Sequence, residues 1–588
     1  MRKTGEMRKS LLAVFCLLSF VLSAFSAATW RNGERVPLWP EGKMPDSQAH
    51  QIGAMTDEAT KDKAWCAAHR MPYIEWFEAP AADKRIGACM ILISGGSYQV
   101  CCDVGLIKIW KDRFTELGFQ CVNLVYRTPR PKGLPIYQSA WEDGQRAVRL
   151  VRQDAKKRGF DPEKIGVIGM SAGGHLTVML ATNSQSPAYE KIDAVDDLPC
   201  HVNWAIANAP AYNTLGGATG NSSPQDGTTV AAPKINPCFA FDEKTCPICF
   251  HHGGIDPYSP NGSTLTYREL RKRKIPSELH LYADKPHGAH GFERALEFLR
   301  QMNYDGRLGP QIDRRAVTGD YTERRFVEPL WPEGRMPDVQ TNQTTAPFIE
   351  WFLPKKRTTG AIQVVLPGGG YNHCNVKGEG LPVAEYLNAK GMTVAIVTYR
   401  TPRPQGLPKH QTAWQDAQRA IRLVRSRAPS LGLDPSRIGT MGFSAGGHLT
   451  LMTALSSKTA AYAPIDEIDK LSCTVQWSCP IYPAYALTDG ADCCNKNGGN
   501  GDEDVFVPEF AFDAGTPPMC FVHGDADGYA AMASVKCWER LRTMGIQSDL
   551  HTLATRGHCF QFKASDGTGS CTWLDQIWDF LTRKKFNK

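Results

Sequence analysis

IGTMGFSAGGH at residues 438–448 indicates a short apolar strand followed at once by a glycine-rich turn, with Ser444 at its centre. The pattern G-x-S-x-G is typical of a strand that turns sharply into a helix, where a side chain at either glycine would collide with neighbouring backbone. Amide groups at the start of such a helix stabilise negative charge beside the serine. Ser444 is therefore a candidate nucleophile at the end of a strand.

The same motif occurs earlier in the chain. IGVIGMSAGGH occupies residues 165–175 and has Ser171 at its centre, and YRTPRP at 126–131 returns at 399–404. The 588 residues are also too many for one hydrophobic core. The sequence therefore predicts two homologous copies, over residues 35–304 and 326–586, joined by a charged linker at 305–325.

Strand-like and helix-like segments alternate within each copy. CMILI at 89–93 is a continuous apolar run of the kind found in buried parallel strands, and WEDGQRAVRLVR at 141–152 has apolar residues at helical spacing. Alternating strands and helices of this kind predict the α/β class. We expect two tandem domains, each with a mostly parallel doubly wound sheet and helices on both faces.

The N-terminus carries targeting features. Basic residues precede an apolar run at 11–25, and small residues follow it, as in a secretory signal peptide. We expect residues 1–27 to be removed and the protein to be secreted or periplasmic. The apolar run is short for a membrane span, so no membrane anchor is expected in the mature form.

Composition excludes some classes of partner. The formal charge of +7 is mild for this length, and no basic run is interleaved with aromatic residues, so no nucleic-acid partner is expected. CPICFHH at 246–252 superficially resembles a zinc motif, but it lies in an apolar strand-like stretch, and no metal is predicted there. Export would permit disulfides among the 19 cysteines.

A serine nucleophile needs a histidine base and a carboxylate that orients the base. The motif His-Gly-x-x-Asp follows a strand-like run in both copies and ends at Asp256 and Asp527. Asp525 is a rival acid in the second copy, but Gly254 occupies its position in the first. This comparison favours Asp256 and Asp527 as the acids.

The candidate bases come late in each copy. His558 follows the strand-like run at 550–553 in the second copy, whereas His287 and His290 compete in the first. The distance in sequence from the acid favours His287, and the local His-Gly-Phe pattern favours His290. We take His287 as the base and keep His290 as the alternative.

Four further histidines are shared by the copies and are interpreted as packing or hydrogen-bonding residues: His175, His448, His252 and His523. A glycine-rich turn also follows an apolar strand in each copy. In the second copy we expect the backbone N–H groups of Gly369, Gly370 and Ala445 to hold an oxyanion. This chemistry requires no cofactor.

The order serine, aspartate, histidine and the motifs LWPEG, PGGGY, GFSAGGH and HGxxD resemble the esterase/lipase superfamily of α/β-hydrolases. The chain is most similar to the exported carbohydrate esterases of the acetyl xylan esterase and feruloyl esterase group. The resemblance covers nearly all of both copies. It implies two α/β-hydrolase domains and a serine esterase that removes acetyl or feruloyl groups from an acylated plant-wall polysaccharide such as xylan.

Carried over to the first copy, the resemblance assigns oxyanion binding to Gly96, Ser97 and Ala172. Ser97 departs from the pattern, since the second copy has Gly370 there; a serine at a position that requires a positive φ would be strained. The first copy also has Leu106 where the second has Glu379.

Two other functions fit the same motifs. A serine exopeptidase of the prolyl-oligopeptidase type shares the nucleophile turn and the order of the triad, although no propeller-like repeat is present in the sequence. The second alternative is one catalytic domain accompanied by a degenerate, carbohydrate-binding copy.

Overall fold

The structure is a computed structural model that describes residues 33–50, 68–77, 80–102, 105–215, 233–302, 321–343, 346–488, 505–560 and 573–588. The predicted signal peptide at 1–27 lies outside these residues. The chain divides into two compact units, the first formed by residues 1–223, 234–248 and 304–309, and the second by 224–233, 249–303 and 310–588.

Unit 1 contains eight strands and three α-helices among its described residues. The strands are β1 (Glu34–Pro37), β2 (Tyr73–Trp76), β3 (Cys89–Ile93), β4 (Gln120–Val125), β5 (Ile165–Met170), β6 (Trp204–Asn208), β7 (Thr214–Leu215) and β8 (Lys234–Ile235). The helices are α1 (Leu106–Glu116), α2 (Gln138–Arg158) and α3 (Ala172–Thr182). Short 3₁₀ turns lie at Ser47–His50 and Ala194–Asp197.

The main sheet of unit 1 has the order β1-β2-β4-β3-β5-β6. Strands β4, β3, β5 and β6 are parallel, and β2 and β1 continue the sheet in antiparallel fashion. All five residues of β3 are buried, as its continuous apolar sequence predicts. The parallel order brings the carboxyl ends of β3 and β5 to the same edge of the sheet, which is where the glycine-rich turns begin.

Unit 2 contains ten strands and seven α-helices among its described residues. The strands are β9 (Ile248–Gly253, assigned to this unit from Cys249 onward), β10 (Glu278–Tyr282), β11 (Thr322–Pro329), β12 (Phe348–Pro354), β13 (Ile362–Leu366), β14 (Thr393–Thr398), β15 (Ile438–Phe443), β16 (Trp477–Ile481), β17 (Cys520–Gly524) and β18 (Asp549–Leu553). The helices are α4 (Asn261–Lys272), α5 (Phe292–Gln301), α6 (Leu381–Ala389), α7 (Gln411–Arg427), α8 (Ala445–Leu455), α9 (Met532–Thr543) and α10 (Trp573–Arg583). A π-helical turn lies at Val376–Gly380, and 3₁₀ turns lie at Ala428–Leu431 and Glu467–Lys470.

The sheet of unit 2 has the order β9-β10-β18-β17-β16-β15-β13-β14-β12-β11. Its strands from β18 to β14 are parallel, while β12 and β11 are antiparallel additions at one edge. Strand β10 pairs with β18 in antiparallel fashion. The predicted α/β class with a mostly parallel sheet is confirmed.

The two compact units and the two predicted copies are divided at different residues. Residues 249–303, predicted to belong to the first copy, group with unit 2, which contains the pairing of β10 with β18. The predicted linker at 305–325 also ends earlier, because β11 already begins at Thr322 and pairs with β12. The ranges 35–304 and 326–586 stay a prediction about the repeat in the sequence.

Helix α8 explains the packing around the motif that contains Ser444. Every one of its residues is buried, and its first turn lies against the end of β13. A Cβ atom on Gly446 would come within 2.0 Å of the Leu366 carbonyl oxygen, and one on Gly442 within 2.2 Å of the Gly446 carbonyl oxygen. Only glycine allows the strand and helix to approach this closely.

Among the described residues, no helix has both the length and the apolar character that a bilayer span requires.

Candidate active site

Ser444 lies between the end of β15 and the start of α8 with φ 53° and ψ −119°. Ser171 has nearly the same backbone conformation, φ 59° and ψ −121°, between β5 and α3. Non-glycine residues rarely adopt a positive φ, and such strain concentrates at functional sites. Both serines therefore occupy the strained turn that the sequence motif predicts.

The structure brings three of the predicted residues of the second copy together. The Nε2 atom of His558 lies 2.7 Å from Ser444 Oγ, and its Nδ1 atom lies 2.8 Å from Asp527 Oδ2. Asp527 is buried and also accepts a hydrogen bond from the Tyr529 amide at 2.8 Å. The arrangement is a continuous chain of hydrogen bonds from carboxylate to imidazole to hydroxyl.

The rival acid Asp525 has a different environment. Its carboxylate pairs with Arg271 and accepts a hydrogen bond from the hydroxyl of Tyr267. The acid that contacts His558 is thus Asp527, in agreement with the comparison of the two copies.

Charge interactions shift the pKa values of this site. Burial lowers the pKa of His558, but the hydrogen bonds and charges of Asp527 and Cys559 together outweigh burial and raise the pKa to about 9. Burial raises the pKa of Asp527, but the hydrogen bonds with His523 and His558 outweigh it and leave the pKa below its usual value. The aspartate is therefore ionised at neutral pH and stabilises an imidazolium on His558.

In the first copy, the predicted acid and base also meet. The Nδ1 atom of His287 lies 2.8 Å from Asp256 Oδ2. His290 instead has its Nε2 atom 2.8 Å from the Pro286 carbonyl oxygen. The geometry therefore selects His287 over His290 as the partner of Asp256. Ser171 lies in unit 1, whereas Asp256 and His287 lie in unit 2.

The glycine-rich turns have positive φ angles in both copies. Gly369 and Gly370 have φ values of 129° and 64°, and Gly96 and Ser97 have 133° and 55°. Ser97 therefore has the positive φ that strains a residue other than glycine. Such a left-handed conformation costs a non-glycine residue about 1–2 kcal/mol.

The arginines of the YRTPRP motif hold these turns, a role that the sequence did not reveal. Arg403 Nε donates to the Gly370 carbonyl oxygen at 2.9 Å, and Arg130 Nε donates to that of Ser97 at 2.9 Å. Each YRTPRP segment, which has no helix or strand in its backbone, therefore places one arginine against a glycine-rich turn.

Glu379 was noted in the sequence only as a difference from Leu106, and the structure places it beside the nucleophile turn. Its Oε2 atom accepts a hydrogen bond from the Gly368 amide at 2.6 Å, and its Oε1 atom accepts one from the Tyr482 hydroxyl at 3.0 Å. Burial raises the pKa of Glu379. The sequence does contain a signal for this contact, because both partners differ between the copies. The first copy has Leu106 at the position of Glu379 and Ala209 at the position of Tyr482.

The four shared histidines have polar partners. His448 and His175 each have Nδ1 2.8 Å from a tyrosine hydroxyl, that of Tyr371 and Tyr98 respectively. His523 and His252 each bond a serine hydroxyl and a tyrosine carbonyl oxygen. Their interpretation as packing and hydrogen-bonding residues agrees with these contacts.

Comparison with known proteins gives one family match. A family model described as BD-FAE matches residues 77–269 and 349–498. The chain is similar to an acetylxylan esterase of Xylanibacter ruminicola, with 26% identity over 36% of this chain and 43% of the relative. It is also similar to endo-1,4-beta-xylanase B of Butyrivibrio fibrisolvens, with 28% identity over 34% of this chain and 32% of the relative. The chain thus spans less than half the length of these two relatives.

Among solved structures, the chain is similar to an acetyl ester-xyloside bifunctional hydrolase from Caldicellulosiruptor lactoaceticus. The identity is 26%, the match covers 45% of this chain and 97% of the other, and the TM-score is 0.38.

Proposed function

The chain belongs to the BD-FAE family, and from that premise we propose that it is a carboxylic ester hydrolase that removes acyl groups from plant-wall polysaccharide. The observation that carries the proposal is His558, which contacts Ser444 through one ring nitrogen and Asp527 through the other. This is the geometry that an activated serine requires. Asp256 and His287 form the matching pair of acid and base in the first copy.

The reaction has two halves. His558 accepts the Ser444 proton as the serine oxygen attacks the ester carbonyl, and the imidazolium then protonates the sugar oxygen as the acyl C–O bond breaks. Backbone N–H groups of Ala445, Gly369 and Gly370 hold the oxyanion, each contributing about 3–4 kcal/mol to the transition state. Water, deprotonated by His558, then attacks the acyl-enzyme, and the imidazolium returns the proton to the Ser444 oxygen as the carboxylic acid is released.

The names of the relatives support the substrate class. An acetylxylan esterase and a xylanase are among the curated relatives, which favours acetyl groups on xylan. Feruloyl esters are the second candidate acyl group, through the resemblance to feruloyl esterases. We place the reaction outside the cytoplasm, since the apolar N-terminal segment predicts export and Cys102 is disulfide-bonded.

The test is the release of acetate from acetylated xylan and of ferulate from feruloylated arabinoxylan oligosaccharides. The variants are Ser171→Ala, Ser444→Ala and the double variant, with Ser430→Ala as a matched control at an exposed serine. Each single variant is expected to lose one site, and the double variant to lose activity by about 10³-fold or more. Full activity in Ser171→Ala would leave the first copy as a degenerate, carbohydrate-binding copy.

Substantial activity in the double variant would overturn the proposal. Absence of both products with the wild-type protein, together with cleavage of prolyl peptides, would favour the serine exopeptidase instead.

A further inference from the structure

Two histidines and a glutamate meet behind the nucleophile of the second copy. His410 directly precedes α7, His448 lies one turn into α8, and Glu509 lies before β17, in the described segment 505–560. His448 Nε2 lies 3.2 Å and His410 Nδ1 lies 3.4 Å from the same atom, Glu509 Oε1. These contacts are not used by the proposed reaction.

Neither nitrogen has a hydrogen-bond partner of acceptable geometry. His410 Nδ1 and His448 Nε2 are both buried and unsatisfied, and His448 has no exposed surface. A buried polar atom without a partner destabilises the folded protein. In native structures a buried polar atom of this kind usually has a water molecule or an ion as its partner.

The contact of the other His448 ring nitrogen, Nδ1, determines whether Nε2 can bind an ion. Its Nδ1 atom lies 2.8 Å from the Tyr371 hydroxyl. When Nδ1 carries the proton and donates to Tyr371, Nε2 presents a lone pair to the carboxylate of Glu509. Two acceptors then face each other, and a cation between them removes the repulsion. Metal-binding histidines usually have their other ring nitrogen held in this way.

One member of the cluster is partly open to solvent. The side chain of Glu509 is 17% exposed, which leaves a path for an ion to enter.

The distances fit a small tetrahedral ion. Bonds of about 2.0–2.1 Å in tetrahedral geometry separate neighbouring ligand atoms by about 3.3 Å. The observed separations of 3.2 and 3.4 Å agree with that value. We propose that His410, His448 and Glu509 bind a divalent metal ion of the zinc class. Two imidazoles and one carboxylate form a known three-ligand set for zinc, with a fourth position left to solvent.

The first copy provides an internal contrast. At the corresponding positions it has Tyr137, His175 and Cys238. Cys238 Sγ lies 3.5 Å from His175 Nε2, so this imidazole nitrogen already has a polar neighbour. Burial raises the pKa of Cys238 and of Tyr137, which keeps both protonated and weakens them as ligands. The metal site therefore belongs to the second copy alone.

A second ligand-like group in unit 2 does not need a cation. Cys249, Glu278 and His280 lie close together and are buried. Glu278, however, is paired with Arg294 at 2.9 Å and with His280 Nε2 at 2.8 Å. The arginine already neutralises the carboxylate, and His280 already has its partner.

The site would join three parts of the second copy. It would fix the start of α7, the helix behind Ser444 and the segment around Glu509 to one another. We therefore expect the ion to raise the thermal stability of the protein. No step of ester hydrolysis passes through it.

The experiment uses untagged full-length protein, because a histidine tag would itself bind zinc. After equilibration with ZnCl₂ and dialysis, mass spectrometry of the metal should give one zinc per chain. Glu509→Gln and His410→Tyr should weaken zinc binding on the order of 100-fold, since each removes a ligand. Glu467→Gln, at an exposed glutamate, is the matched control and should bind as the wild type does.

Two measurements on the wild type keep the test independent of how the variants fold. Zinc should raise the melting temperature, and EDTA should reverse the rise. Cobalt(II) in the same site should give the intense visible absorption of a tetrahedral complex. Failure of the wild type to retain zinc, or equal zinc binding by Glu509→Gln, would overturn the proposal. In that case the two histidines donate hydrogen bonds to Glu509 and serve only to pack the helices.

Discussion

The carboxylate of Glu379 accepts a hydrogen bond from the Gly368 amide, and this contact fixes the first residue of the glycine-rich turn beside Ser444. A Cβ atom on Gly368 would lie 2.8 Å from the same carboxylate and 3.0 Å from Ser444 Cβ, so carboxylate, turn and nucleophile are packed together. The first copy has Leu106 in place of this glutamate.

We predict that Glu379→Leu lowers kcat of the second site about tenfold or more with a smaller change in KM. The leucine leaves the Gly368 amide and the Tyr482 hydroxyl without their acceptor and lets the turn shift, and small displacements of catalytic groups strongly reduce rates. The measurement is ester hydrolysis in a Ser171→Ala background, which isolates the second site. Glu385→Leu, at an exposed position, is the control. An unchanged kcat in Glu379→Leu would show that the carboxylate does not support the turn.

The pH dependence of the second site should follow His558. The pKa of this imidazole is raised to about 9, and only the neutral form can accept the Ser444 proton. In Ser171→Ala, kcat/KM should therefore rise with pH between 7 and 9 and level off above the pKa. The measurement is the rate of acetate release, corrected for spontaneous hydrolysis.

Asp527→Asn provides the control for this profile. Loss of the negative charge should move the midpoint below that of the parent and reduce the rate strongly. A midpoint near 6.5 in the parent would contradict the raised pKa of His558.

Much of the fold and of the second site could be predicted because both depend on local patterns. The strand, the glycine-rich turn and the position of Ser444 follow from steric limits that only glycine satisfies, and these limits appear directly in the sequence. Asp527 and His558 could be found because each repeats in the other copy. The sequence repeat therefore indicated which residues, distant in the chain, belong to the same site.

Other features depend on contacts between residues far apart in the chain and have no local signal. The contact of Arg403 with the Gly370 carbonyl oxygen and that of Glu379 with Gly368 depend on how loops pack after folding. The grouping of residues 249–303 with unit 2 similarly depends on the antiparallel pairing of β10 with β18. Two strand edges pair through their backbone N–H and C=O groups without any special sequence requirement, so no sequence motif indicates the pairing.

The residue at position 370 provides a third prediction. Gly370 has φ 64°, and a Cβ atom there would meet nothing closer than 3.5 Å, so space is available and only the backbone conformation opposes a side chain. Gly370→Ser should therefore fold and lose about 1–2 kcal/mol in the free energy of unfolding. Ser97→Gly is the reciprocal variant and should be neutral or slightly stabilising, because relief of strain offsets the greater freedom of the unfolded chain. A loss of stability in Ser97→Gly equal to that in Gly370→Ser would contradict the strain argument.

The buried arginines of the YRTPRP motif provide the last prediction. Arg400 is almost fully buried and lies 3.0 Å from the Asp416 carboxyl group, while the neighbouring contact is the neutral Gln415. Burial raises the pKa of Asp416, and the charge of Arg400 opposes that rise. Asp416→Ala leaves the arginine charge buried without a carboxylate, which should cost about 3–5 kcal/mol in the free energy of unfolding.

In the first copy, Asp143→Ala should cost less than Asp416→Ala, by about 1 kcal/mol or more, because a second carboxylate remains. Arg127 contacts Glu142 at 2.6 Å in addition to Asp143. Burial raises the pKa of Glu142 to about 7, so the comparison is made at pH 8, where this glutamate is ionised. The measurement is thermal unfolding of both variants, and Gln415→Glu added to Asp416→Ala should recover part of the loss. Equal losses in the two alanine variants at pH 8 would show that Glu142 does not neutralise Arg127.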